Sequence, residues 1–84
     1  MLPMARPSPT YSGTKELVAL GAVIRDIRQA LGLSQEALAN EVGIVRSYMG
    51  GIERGEHNLA MINLIKIAST LHHSAAELLK KAGL

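Results

Sequence analysis

Residues 32 to 55 hold two short amphipathic stretches parted by a single glycine, and that spacing constrains the fold more than any other feature of the chain. Ser34 stands where a side-chain oxygen can cap a first helix running to about Glu41. Gly43 then supplies the backbone freedom that a sharp helix exit needs. The second stretch begins directly after it. Its apolar residues Val45, Met49 and Ile52 recur at steps of four and three, which predicts an inward stripe. Arg46, Ser47, Gly50, Gly51 and Arg54 fall on the opposite side, so the outer face is small, polar and basic.

The flanks read as helices too. Leu17, Leu20, Ile24, Ile27 and Leu31 repeat at three- and four-residue steps, predicting a helix from about Thr14 or Lys15 to Leu31 that Gly32 ends. Gly55 to Asn58 is a polar loop. Met61, Leu64, Ile65, Ala68 and Leu71 mark a fourth helix, closed by His72 and His73. Ser74 caps a fifth, with Ala75, Leu78 and Leu79 inward and Glu77 placed for a capping box. No strand signal occurs, so the expected fold is all-α, a compact five-helix domain over 15–84. Residues 1–14 carry Pro3, Pro7 and Pro9 among small polar residues, and read as a flexible N-terminal arm. Arg6 is the arm residue suited to a minor groove, although an unstructured leader is the simpler reading.

Eighty-four residues make one ordinary domain, and the absence of cysteine removes disulfides and thiolate metal sites as stabilisers. Two tyrosines are the only aromatics, so the core must be aliphatic. A net charge of +2 is far from that of a protein coating nucleic acid indiscriminately. The apolar stretch Leu17 to Ile24 is too short to span a bilayer and is flanked by Glu16 and Arg25, which suits a cytoplasmic protein. His72 and His73 would project about 100° apart on a helix with no carboxylate or thiolate completing a set, so neither metal nor cofactor is expected. Nor is an enzyme, because the chain has no glycine-rich phosphate loop, nucleophile elbow or clustered acid-base pair.

Two helices joined by a short glycine turn form the helix-turn-helix arrangement, whose second helix enters the major groove of DNA. Generic helical hairpins share that pattern. The segments Leu31-Gly-Leu-Ser-Gln-Glu-Ala-Leu-Ala39, Gly43, Arg46-Ser-Tyr48, Gly51-Ile-Glu-Arg-Gly55 and Leu64-Ile-Lys-Ile-Ala68 go further. Over about residues 17 to 80 the chain resembles the Cro/repressor-type, or XRE-like, helix-turn-helix family. It is most similar to stand-alone members such as the controller proteins of restriction-modification systems.

That resemblance implies a sequence-specific regulator of transcription that binds double-stranded DNA. Arg46 and Ser47 match positions that touch base edges, where a guanidinium suits guanine O6 and N7. Gln35, Tyr48, Arg54 and Asn58 match positions on the sugar-phosphate backbone. Arg28 and Glu53 match an ion pair that joins the first helix to the recognition helix. Gly50 and Gly51 depart from the family, which often carries a serine and a base-contacting side chain there, and their smallness suggests close approach of the backbone to DNA. Val45 departs too, standing where relatives carry a capping residue. Ile62, Ile67 and Leu84 exceed what one inward stripe uses, and predict a homodimer interface in the last two helices, the region through which relatives pair. Such a dimer would set recognition helices about 34 Å apart on a near-palindromic operator. The rival reading is an antitoxin or adaptor whose domain mainly docks a protein partner.

Overall fold

Each helix of the described residues ends at a left-handed residue, Gly32, Gly43, Gly55, His72 or Gly83, while only Ser34 and Ser74 cap a helix start with their side chains. The computed structural model describes residues 6–84, and residues 1–5 of the expected arm lie outside the described residues. Five helices follow in order, α1 (Lys15–Ala30), α2 (Gln35–Val42), α3 (Arg46–Glu53), α4 (Met61–Thr70) and α5 (Ala75–Lys81), with no strand among the described residues. Gly32 takes φ 73° after α1, a conformation costly for residues bearing a Cβ. Ser34 Oγ accepts from the Ala37 amide at 2.9 Å, and Gly43 closes α2 at φ 85°. At α5 the Ser74 hydroxyl and the Glu77 carboxylate satisfy each other's backbone amides as a capping box.

α1 packs against α3 and α5, α2 against α3 and α4, and α4 against α5. Ile24, Leu38, Met49, Ile67, Leu71 and Leu78 are fully buried between them, an aliphatic core as the composition requires. Gly21 allows the closest approach. A Cβ there would stand 2.5 Å from the carbonyl oxygens of both Ile52 and Glu53, so α1 lies directly on the C-terminal end of α3. This contact fixes how α3 projects from the body.

Several expected placements are reversed. Val45 is 52% exposed instead of inward, because it is the N-cap of α3, extended at φ −75° and ψ 149° and lacking a side-chain cap. Leu31 is exposed as well, just past the end of α1. In α4 the inward stripe is Leu64, Ile67, Ala68 and Leu71, whereas Met61 and Ile65 face outward. Ile67 is 0% exposed and therefore cannot belong to a dimer interface. The helix is apolar on more than one side, so periodicity alone admitted two rotations.

The expected arm is also partly tied down. Residues 9–13 form turns, the Ser8 amide donates to the Glu56 carbonyl at 2.7 Å, and the Gly13 amide donates to the Gly55 carbonyl at 2.8 Å. Gly55 adopts φ 77°, and its Cα lies so close to Val18 that a Cβ would stand 2.7 Å from that residue's backbone. Residues 6–14 thus run against the loop after α3.

Candidate nucleic-acid interface

The outer side of α3 is held in place by a buried ion pair. Arg28 Nε donates to Glu53 Oε2 at 2.7 Å and Nη2 to Oε1 at 2.9 Å, across α1 and α3, with the two side chains only 9% and 2% exposed. Arg28 Nη1 also donates to the Leu33 carbonyl at 2.8 Å, which ties in the turn before α2. Two parallel N–H···O bonds between a planar guanidinium and a carboxylate fix orientation as well as distance. Among the described residues no buried polar side-chain atom lacks a partner.

Gln35, the first residue of α2, extends this network outward. Its Nε2 donates to Glu53 Oε1 at 3.0 Å, and its Oε1 accepts from Arg46 Nη1 at 3.4 Å. Ser34 Oγ takes the Ala37 amide, and the Gln35 and Glu36 amides before it, which have no intrahelical acceptors, point toward where an anion would sit. Arg46 and Ser47 are exposed on the first turn of α3. The two sequence-expected base readers and Gln35, one of the four expected phosphate residues, therefore share one surface at the start of α2 and α3.

Gly50 and Gly51 are both buried, contrary to the outward-facing pair expected. A Cβ on Gly50 would lie 3.1 Å from Arg54 Nη1 and 3.5 Å from Gln35 Oε1, so those two side chains cover it. On Gly51 a Cβ would overlap His57 Nε2 and stand 2.6 Å from Cδ2. The room left by Gly51 is filled by the protein's own histidine, which overturns its assignment to close approach of DNA. His57 is 7% exposed, and its ring centroid is 4.6 Å from that of Tyr48 at an interplanar angle of 52°. Tyr48 is half-buried, its ring tilted against that of His57. Burial pushes the His57 pKa below the ordinary histidine value and Arg54 adds to that, while Glu56 and the backbone of Arg6 oppose it.

Arg54 caps α3 at its C-terminal end and pairs with Glu56, Nε to Oε2 at 2.7 Å and Nη2 to Oε1 at 3.2 Å. The hydrogen bond with Glu56 raises the guanidinium's pKa, and the same bond holds the Glu56 carboxyl below the usual carboxylate range. Asn58 is exposed in the following loop. Gly21, Glu56 and His57 are the residues that sequence reasoning missed. Only Gly21 left a signal, as a glycine inside a helix where it costs about 1 kcal/mol against alanine.

Among the described residues no group of three or more His, Cys, Asp or Glu could hold a metal ion, and no helix is long and apolar enough to cross a membrane. The sequence profile of the Helix-turn-helix family HTH_3 matches residues 24–78, which takes in the whole α2–α3 pair and the Arg28–Glu53 bridge. Control protein C.SmaI of Serratia marcescens is 40% identical over 74 residues, 88% of this chain and 86% of that protein. The crystal structure of the restriction-modification controller protein C.AhdI from Aeromonas hydrophila superposes with a TM-score of 0.75 at 45% identity, covering 77% of this chain and 98% of that one. The hypothetical transcription factor NHTF from Neisseria gives a TM-score of 0.74 at 33% identity over 94% of this chain and 84% of its own. The chain belongs to the helix-turn-helix family of DNA-binding transcriptional regulators, and over most of its length it is similar to restriction-modification controller proteins.

Proposed function

We propose that this regulator acts as a homodimer that lays its two α3 helices in successive major grooves of a near-palindromic operator. Arg46 and Ser47 would read base edges. The start of α2 with Gln35, together with Tyr48, Arg54 and Asn58, would meet the sugar-phosphate backbone. The observation that carries this reading is the exposed first turn of α3, with Arg46 beside Gln35, mounted on a body locked by the Arg28–Glu53 pair. Phosphate contacts set register while the guanidinium supplies discrimination.

Dimer formation draws support from α4, where Met61 and Ile62 are 73% and 63% exposed and Ile65 lies on the same side one turn later. A contiguous exposed aliphatic face of this kind on a small domain commonly marks an interface. Leu84 is exposed next to Lys15, Glu16 and Ala19 at the other end of the chain. The similarity to controller proteins supports an operator associated with a restriction-modification system. A bare glycine face on α3 would favour the antitoxin or adaptor reading, and at Gly50 and Gly51 that face is covered by Arg54, Gln35 and His57.

Enrichment from a random duplex pool, paired with sedimentation at micromolar concentration, tests the proposal. One motif with twofold symmetry and a dimeric protein are the expected outcomes. An unenriched pool, or a persistent monomer with undiminished operator binding, would overturn it.

A further inference from the structure

Arg54 has its phosphate-gripping edge already occupied. Its Nη1 leans over Gly50 toward Gln35, which places the guanidinium at the border of the surface assigned to DNA. The opposite edge, Nε with Nη2, is the fork with which arginine binds phosphate or carboxylate through two parallel hydrogen bonds, and Glu56 fills it at 2.7 and 3.2 Å. Glu56 is itself anchored on both sides of its main chain. Its amide donates to the Gly51 carbonyl at 2.9 Å, and its carbonyl accepts from the Ser8 amide at 2.7 Å. With its main chain held at both groups, Glu56 keeps its carboxylate within reach of Arg54.

We propose that Glu56 is a built-in competitor for the DNA phosphate that Arg54 binds, and that it sets the protein's overall DNA affinity and salt sensitivity without altering base preference. The inference rests on the DNA reading of α3 given above. An exposed pair is weak enough for a polyanion to open. Opening it costs affinity twice, because the Arg54 pair is lost and the freed carboxylate faces the anionic backbone. Both costs apply to every sequence, since neither residue needs to touch a base. An ordinary carboxyl is ionised at neutral pH and the Arg54 hydrogen bond only lowers the Glu56 pKa further, so the competitor is always present there.

The test is duplex affinity across a range of salt for Glu56→Gln and Glu56→Ala, each with Arg54 intact and with Arg54→Ala, after thermal melts confirm folding. With Arg54 intact, affinity should rise roughly two- to fivefold per subunit, hence about four- to twenty-five-fold for a dimer, by the same factor on operator and scrambled duplex. The slope of log affinity against log salt should steepen by about 0.9 for each Arg54 released. With Arg54→Ala the gain should shrink to less than about twofold per subunit, the remainder of screened charge repulsion. Equal gains in both backgrounds, or none with Arg54 intact, would overturn the proposal. If the unaltered protein shows no salt-dependent duplex binding, the DNA reading of α3 falls and this inference with it. Duplex binding that is indifferent to Glu56 removes only the inference.

Discussion

Gly51→Ala sets a helix-propensity gain against a steric loss, and the geometry decides the sign. Replacing a helical glycine by alanine is worth up to about 1 kcal/mol in an open site. Here the new Cβ would overlap the His57 ring, which is 7% exposed and confined by Tyr48 on another side. Forcing extra volume into a filled site costs about 1–3 kcal/mol, whether the ring is displaced or α3 shifts away from it. The expected net effect is a destabilisation of about 1 kcal/mol, read by urea or thermal unfolding as a midpoint lower by about 4–8 °C for a domain of this size. In a His57→Ala background the obstruction is gone, and the same substitution should stabilise by about 1 kcal/mol. A gain in both backgrounds would show that His57 does not occupy the room beside Gly51, and the account of that glycine would fail.

Truncating either Arg28 or Glu53 should cost about 3–5 kcal/mol by stranding the other charge in the interior, while the pair Arg28→Met with Glu53→Leu should recover much of that loss; a double-mutant cycle without coupling would contradict the bridge. Gly21→Ala should destabilise by about 1–3 kcal/mol with no single-residue rescue, because the obstacle is the α3 backbone and not a side chain; wild-type unfolding of this variant would refute the close approach of α1 and α3. Burial lowers the folded-state pKa of His57, so the unfolded chain binds more protons just below the ordinary histidine value of about 6.5. The stabilisation from the neutral ring is then fully present above that value and is lost as pH falls from it through the lower folded-state pKa. Unfolding measured from pH 7.5 to 5 should show this slope in the parent and a shallower one in His57→Gln.

Helix positions were legible because their signals are local. Ser34, Gly43 and Ser74 act on amides within a few residues, so caps and stops read directly off the chain and matched the observed bounds closely. The Arg28–Glu53 pair was legible through the family resemblance and because both residues border apolar stripes. The rotation of α4 was not, since Met61, Ile62, Leu64, Ile65 and Ile67 offer more than one apolar face and only the docking of α2 and α5 selects among them. His57 was hidden for a different reason. Its ring reaches Gly51 because Gly55 turns back at φ 77°, and residues 6–14 close over the same loop, a tertiary arrangement with no periodic signature. The glycine pair therefore looked outward-facing when it was filled from within. Base contacts lie beyond both, since they depend on the sequence of the DNA.

The most direct measurement of the central claim is the affinity of the parent and of Arg46→Ala for the selected operator and for a scrambled duplex at one salt concentration. Arg46 projects from the first turn of α3, where among the described residues a 3.4 Å contact to Gln35 holds its guanidinium, and it can leave that contact for a base. Arg46→Ala should lose about 1–3 kcal/mol on the operator and much less on the scrambled duplex, because one bidentate base contact disappears while the backbone contacts stay. Equal weakening on both duplexes would make Arg46 a backbone contact and contradict the assignment of base reading to the start of α3.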